Sequence, residues 1–291
     1  MSGSSADESA HGMMADSIMR VKYYAHRGLY QNTAPYHAPE NSLYAFRAAA
    51  ARGYGIELDV RLTKDCQAVV FHDKSLARMC GVPGSVRDYT YEALSKLRLC
   101  GGSAQIPLLS QVLSEINGKV PLIIEIKAPL RSAETCCRIA EVLCPYDGPF
   151  CIESFHPSCL RWYRRHDPRI LRGLLLKKGG FLRFLLSAPD FISYDIRSRK
   201  RTGRMPFSFH LIRWSSRLFR RPLRRRSVCP PDQPACTHPE APVSVPHAKP
   251  EKKRSSVHNK IPAAAWTVQS QEALIQNQTD FDFYIFENFL P

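Results

Sequence analysis

Short apolar runs alternate along the chain with amphipathic or mixed stretches. Val21–Ala25 predicts a first strand, ending at His26-Arg27-Gly28. A loop with two prolines follows, and Asn41 is a good N-cap type for a helix over Ser42–Arg52. Gly55–Val60 predicts a second strand and Pro121–Lys127 a third, the latter preceded by a helical pattern over Leu108–Ile116. Phe150–Ser154, Ile170–Leu176, Phe191–Ile196, Ala263–Val268 and Phe283–Glu287 predict strands four to eight. Strands alternating with helices argue for a parallel α/β sheet, and eight of them suggest closure into a (β/α)₈ TIM barrel.

A ninth apolar run, Ala68–His72, lies a few residues after the second strand. Parallel neighbours need a crossover of a dozen or more residues, whereas a tight turn permits only an antiparallel hairpin. Ala68–His72 is therefore expected to return as a hairpin over the barrel mouth. Residues 74–107 then form a small insertion before the next barrel helix. Met1–Arg20 is polar and small, with no apolar central run, and is expected to be a disordered tail rather than a secretory leader. The barrel is expected to span 21–291.

Composition changes this picture at one place. The net charge of +15 suggests a nucleic-acid or membrane partner until it is mapped. Residues 197–260 hold 17 of the 41 Lys and Arg but only 3 of the 26 Asp and Glu, so the remainder is nearly neutral. This segment lies between strands six and seven, and is rich in Pro, Ser and His after Pro222. It reads as a basic, disordered insertion. Within it, Phe207, Trp214 and Phe219 are interleaved with arginines, which leaves peripheral contact with anionic membrane as one reading. No nucleic-acid motif accompanies the charge. The ten cysteines include no C-x-x-C pair, which argues against a zinc cage, and several sit in apolar runs as free thiols do. No stretch of eighteen apolar residues occurs, and a cytoplasmic location is expected.

The chemistry-bearing residues fall at predicted strand ends. Glu57 and Asp59 are two apart, so their carboxylates point to the same side of a strand, and Glu125 and Lys127 repeat that spacing. His26 and Arg27 end the first strand, and His72 and Asp73 end the hairpin. Active sites of this fold form at the C-terminal ends of the strands. Three crowded carboxylates repel one another, a problem a hard divalent cation resolves; oxygen ligands favour Mg²⁺ or Ca²⁺ over zinc. Arg27 and Lys127 remain to neutralise an anion, and two histidines remain for proton transfer. Such a set suits a phosphodiester.

His26-Arg27-Gly28, Pro39-Glu40-Asn41, Glu57-Leu58-Asp59-Val60, His72-Asp73, Glu125-Ile126-Lys127 and Trp266-Thr267-Val268 occur in the order seen in glycerophosphodiester phosphodiesterases. The resemblance runs from Val21 to Asp195 and resumes at Ala263. It implies that Glu57, Asp59 and Glu125 hold one divalent cation, that His26 and His72 are the general base and acid, and that Arg27 and Lys127 bind phosphate. It places Glu40, with Asn41 and Asp73, in supporting positions, and Trp266 and Phe155 as an apolar wall beside the glycerol. Glu153 and Glu287 also sit at strand ends and receive no role. The implied reaction is hydrolysis of a glycerophosphodiester to sn-glycerol 3-phosphate and an alcohol. A lysophospholipase D-type reaction, and a non-catalytic barrel docked on membrane through 197–260, are the alternatives.

Overall fold

The computed structural model describes residues 16–31, 38–128, 131–177, 181–198, 262–278 and 280–291. The basic insertion from residue 199 onward, including the aromatic and arginine run over Pro206–Phe219, lies outside the described residues. So do residues 1–15.

Eight parallel strands close into a barrel: β1 (Tyr23–His26), β2 (Gly55–Leu62), β4 (Leu122–Ile126), β5 (Phe150–Ser154), β6 (Arg172–Leu176), β7 (Phe191–Asp195), β8 (Ala263–Val268) and β9 (Phe283–Phe286). Closure comes from β1, which pairs with β9 on one side and β2 on the other. β3 (Ala68–Val70) runs antiparallel against the end of β2, as the short turn requires. Its pairing with Val60, Arg61 and Leu62 carries β2 two residues beyond the expected Val60.

The strands are buried on both faces, and side-chain alternation divides them into two cores. Outward positions such as Ile56, Leu58, Val60, Ile124, Ile126 and Ile152 pack under the helices. These include α1 (Leu43–Ala50), α4 (Leu109–Ile116), α5 (Ser132–Leu143) and α6 (Pro157–His166). Inward positions at the strand beginnings form a separate apolar plug of Tyr24, Ile123, Cys151, Leu171, Phe191, Ala264, Phe283 and Ile285. One step further along, the inward stripe turns polar: Ile123 gives way to Glu125, Cys151 to Glu153, Phe191 to Ser193 and Tyr24 to His26. One period-2 pattern thus builds a dry floor and a charged mouth.

Ile18 completes the floor. Residues 16–20 are helical, Ile18 is fully buried in the plug, and its carbonyl accepts a hydrogen bond from the Tyr24 hydroxyl at 2.8 Å. The expected tail therefore gives up at least these five residues to the fold, because the open barrel bottom needs an apolar cover that the strands do not supply.

The helix after β1 is capped by Ser42, whose hydroxyl accepts from the Ala45 amide at 3.2 Å, and not by Asn41. Asn41 instead adopts a left-handed φ of 57° and turns its amide into the barrel mouth. Both residue types cap helices; the buried Asp59 claims the one with an amide. Residues 74–107 leave the barrel and fold round a core of their own, which includes Phe71, Leu76, Met79, Val86, Leu94, Leu99 and Ile106. Two short helices, α2 (Ala77–Cys80) and α3 (Tyr91–Ser95), belong to it.

Ile18→Ala removes a fully buried side chain from the floor and should destabilise the protein by about 2–5 kcal/mol. A lowered denaturant midpoint at unchanged slope is the expected result; an unchanged midpoint would return residues 16–20 to a tail.

Candidate active site

The parallel register brings the acidic residues together. Asp59 is the lateral partner of Glu125, Glu125 of Glu153, and His26 of Glu57. All four carboxylates are buried. One carboxylate oxygen from each of Glu57, Asp59 and Glu125 lies within 4.8 Å of the others.

Asp59 is the most heavily contacted member. Lys127 Nζ lies 3.0 Å from its Oδ1 and Arg27 Nε 3.4 Å from its Oδ2, while the Asn41 amide donates to Oδ2 at 2.8 Å. Burial works against the charge of Asp59, but Lys127, His72, Arg27 and His26 hold it well below the usual carboxylate range. Its neighbours go the other way. Burial, then the Asp59, Glu153 and Glu125 charges, push Glu57 well above its ordinary value. Burial also raises Glu125 to about 7, despite an ion pair with Lys127 at 2.7 Å. Glu153 rises to about 8 through burial, although its Oε2 accepts a hydrogen bond from the Ser193 hydroxyl at 2.6 Å.

The three carboxylates therefore exceed the positive charge that Arg27 and Lys127 bring to them, and Arg27 also serves Glu40 at 2.8 Å. Two buried polar atoms, Arg27 Nε and Asp59 Oδ1, face their ionic neighbours without an aligned hydrogen bond. A donor and an acceptor with spare capacity, side by side, fit an anion and a cation respectively. The all-oxygen donor set fits a hard divalent ion.

The histidines flank this cluster. His26 Nδ1 meets Glu287 Oε2 at 2.5 Å, and its Nε2 lies 3.9 Å from Glu57 Oε2. His72 Nδ1 meets Asp73 Oδ1 at 2.6 Å. Against the effect of burial, hydrogen bonds hold Glu287 and Asp73 each at about 2, with His26 the leading cause at Glu287 and Arg78 with His72 at Asp73. Both carboxylates are thus acceptors at neutral pH, and the imidazole proton sits on Nδ1 in each ring. Nε2 is the nitrogen that this carboxylate leaves untaken on each ring. Burial lowers the His72 pKa, and Lys127 and Arg27 add to that, while the Asp59 charge and the Asp73 hydrogen bond act the other way. Arg61 fixes the hairpin end by donating twice to the His72 carbonyl, at 2.9 and 2.6 Å.

The loop after β1 is shaped by Gly28. Its φ is +81°, and an added Cβ would lie 2.8 Å from the Ala45 backbone, so only glycine fits against α1. Arg27, at φ 57°, points its own amide at Glu57 Oε2, 3.1 Å away. Across the mouth, Phe155 and Trp266 meet edge to face with centroids 5.6 Å apart, and the indole N–H donates to the Ser193 carbonyl at 3.0 Å. Lys177 covers Phe155 at 5.3 Å and Arg197 covers Trp266 at 5.9 Å.

The carboxylates, cations and histidines expected at the site are thus brought together at this one barrel end, whereas Phe207, Trp214 and Phe219 lie outside the described residues. Sequence reasoning missed Glu287, Arg78 and Arg61. Glu287 was visible as a strand-end carboxylate, but nothing local pairs it with a histidine 261 positions away. Arg78 lies in the insertion and forks onto Glu40 and Asp73; no motif marks it.

The family model for the glycerophosphoryl diester phosphodiesterase family matches residues 26–179, more than half of the chain. The chain belongs to this family. Among relatives, a glycerophosphodiester phosphodiesterase of Bacillus altitudinis is 40% identical over 114 residues, which cover 37% of this chain and 44% of the relative. One from Caldanaerobacter subterraneus subsp. tengcongensis is 34% identical over 176 residues, covering 55% of this chain and 69% of that one. Human glycerophosphodiester phosphodiesterase 1 is 31% identical over 167 residues, covering 53% and 49%. The matched segment thus spans under half of the first relative's length and about two thirds of the second's. Solved structures share the fold. A phosphodiesterase of Oleispira antarctica, in complex with its product sn-glycerol-3-phosphate, aligns with a TM-score of 0.65 at 20% identity, covering 91% of this chain and 92% of that one. A glycerophosphodiester phosphodiesterase of Thermotoga maritima aligns at 0.61 and 22% identity, covering 91% and 94%. Among the described residues of this family member, no helix is long and apolar enough to cross a membrane.

The crowded carboxylates generate a binding prediction. Mg²⁺ or Ca²⁺ at 100 times its dissociation constant should stabilise the fold by about 2.7 kcal/mol, seen as a rise in Tm. Glu125→Gln should abolish most of that rise; an equal rise in the variant would remove the trio from cation binding.

Proposed function

We propose that this barrel hydrolyses glycerophosphodiesters to sn-glycerol 3-phosphate and an alcohol. The observation that carries the reading is a pair of imidazoles, each presenting Nε2 and each backed by a carboxylate, on either side of a carboxylate trio with two cations. The product bound by the Oleispira relative supports the substrate class.

Glu57, Asp59 and Glu125 would hold one divalent cation, Mg²⁺ or Ca²⁺. When bound, it supplies positive charge against the phosphoryl oxygens. Arg27 and Lys127 bind and orient the phosphate. One imidazole takes the proton of the attacking oxygen at Nε2, and the other, protonated, gives its proton to the departing ester oxygen. The attacking oxygen is water or the 2-hydroxyl of the glycerol. In the second case a cyclic phosphate forms and water then opens it. Glu40 and Asn41 hold Arg27 and Asp59 in place. Phe155 and Trp266 form a wall against the glycerol.

A lysophospholipase D-type reaction is favoured by one feature. A cavity of about 570 Å³ opens beside the His26 partner Glu287, lined in part by Leu29, Tyr30, Phe289 and Leu290. It offers room for a group bulkier than glycerol. A peripheral membrane role rests on the charge of residues 197–260, each Lys or Arg near an anionic surface contributing about 1 kcal/mol.

A panel of glycerophosphodiesters and lysophospholipids, assayed with EDTA, Mg²⁺ and Ca²⁺, tests the reaction. Hydrolysis of glycerophosphodiesters that EDTA stops is the expected result, and His72→Ala should lower turnover by ~10²–10⁴-fold. Full activity under chelation would count against the cation, and wild-type turnover in the variant against His72. In liposome sedimentation, deleting 197–260 should release the protein from anionic vesicles; unchanged binding would end the membrane reading.

A further inference from the structure

Arg78 carries the insertion into contact with two residues that hold the proposed catalytic groups, and that contact has the geometry of a clamp. Arg78 stands on α2 and uses all three guanidinium nitrogens. Nε donates to Asp73 Oδ2 at 2.6 Å, Nη1 to Glu40 Oε2 at 2.8 Å and Nη2 to Glu40 Oε1 at 2.7 Å. The second oxygen of Asp73 faces His72 Nδ1. Glu40 Oε1 also accepts from Arg27 Nη1. An unbroken chain therefore runs from Arg27 through Glu40, Arg78 and Asp73 to His72, and its central member comes from outside the barrel.

We propose that Arg78 is a positioning residue that locks Asp73, and through it the tautomer and orientation of His72. The proposal rests on the reading of His72 as an acid–base group. Three observations set this contact apart from an ordinary surface ion pair, which contributes little. Glu40 is 4% exposed, so one end of the clamp is anchored in the protein interior. The helix that carries Arg78 is itself pinned, since Leu76 and Met79 are buried in the insertion core beside Phe71, the residue before His72. The fork also holds Asp73 from the side opposite the imidazole, so the carboxylate cannot rotate without breaking a bond at one end or the other. A lysine cannot reproduce this, because an ammonium is a single point charge where two carboxylates need a planar fork. The contact gives the insertion a direct hold on the chemistry of the barrel: its core fixes α2, α2 fixes Arg78, and Arg78 fixes the acid–base group.

The test uses the full chain with saturating divalent cation, comparing Arg78→Met, Arg78→Lys, Asp73→Asn and the double variant Arg78→Met/Asp73→Asn. The imidazole ¹⁵N resonances of His72 report its tautomer independently of activity. In the wild type they should show the proton on Nδ1. In Arg78→Met they should show both tautomers, with kcat for a glycerophosphodiester lowered roughly 10–100-fold and KM within about threefold. Arg78→Lys should recover little of that loss. The double variant should be no worse than Asp73→Asn alone by more than about threefold, because both changes break one pathway. A single unchanged His72 tautomer in Arg78→Met would overturn the proposal, as would a raised KM at unchanged kcat, which would assign Arg78 to Glu40 and Arg27 instead. Should Arg78→Met not fold, the ¹⁵N pattern and kcat of Arg78→Lys decide alone: wild-type values in both overturn it. Should the wild type hydrolyse no phosphodiester, the functional reading fails while the tautomer measurement still decides whether Arg78 holds His72.

Discussion

The mouth of this barrel is organised round one buried negative charge, that of Asp59. Placing a carboxylate where water cannot reach it is expensive unless cations and hydrogen bonds replace the water. Lys127, from the end of β4, and Arg27 and Asn41, from the two ends of the connection between β1 and α1, do so. Two of these residues, Arg27 and Asn41, hold left-handed backbone conformations to arrive, a strain that residues with side chains accept only where the surroundings enforce it. With Asp59 satisfied, Glu57 and Glu125 remain crowded beside it, and their raised proton affinity measures how strongly the site seeks more positive charge.

The rest of the architecture supports that arrangement. Barrel closure puts Asp59, Glu125 and Glu153 on adjacent strands at one level, so the crowding comes from sheet register and not from loop placement. Strands are rigid, which suits a site whose groups act only at fixed separations. Below this level the plug capped by Ile18 excludes water. Above it, less regular segments bring the remaining groups: the hairpin end with His72, the loop after β1 with Arg27, the C-terminal residues with Glu287. Each of these is tied down by a specific bond, from Arg61, from Glu40 and from His26 respectively.

The proposed reaction needs two imidazoles that differ in protonation while the phosphodiester is bound. Both rings are held in the same way, with a carboxylate on Nδ1, but their surroundings differ. Burial, with Lys127 and Arg27, disfavours the charged form of His72, against the opposing pull of Asp59 and Asp73. His26 has Glu287 on one nitrogen and Glu57 within 3.9 Å of the other, two acidic neighbours.

Much of this was readable in the chain itself. Strand positions followed from short apolar runs, and β5 and β8 have the expected ends. The hairpin followed from a turn too short for a parallel crossover, and the shared face of Glu57 and Asp59 from their spacing. Such features depend on a few neighbouring residues, whose steric rules act locally. Ser42 rather than Asn41 at the helix cap, Ile18 under the barrel, Glu287 behind His26 and Arg78 across Glu40 and Asp73 depend on partners brought near only by closure. Which polar group meets which buried charge is a question of three-dimensional proximity and desolvation, and a linear pattern carries no record of either.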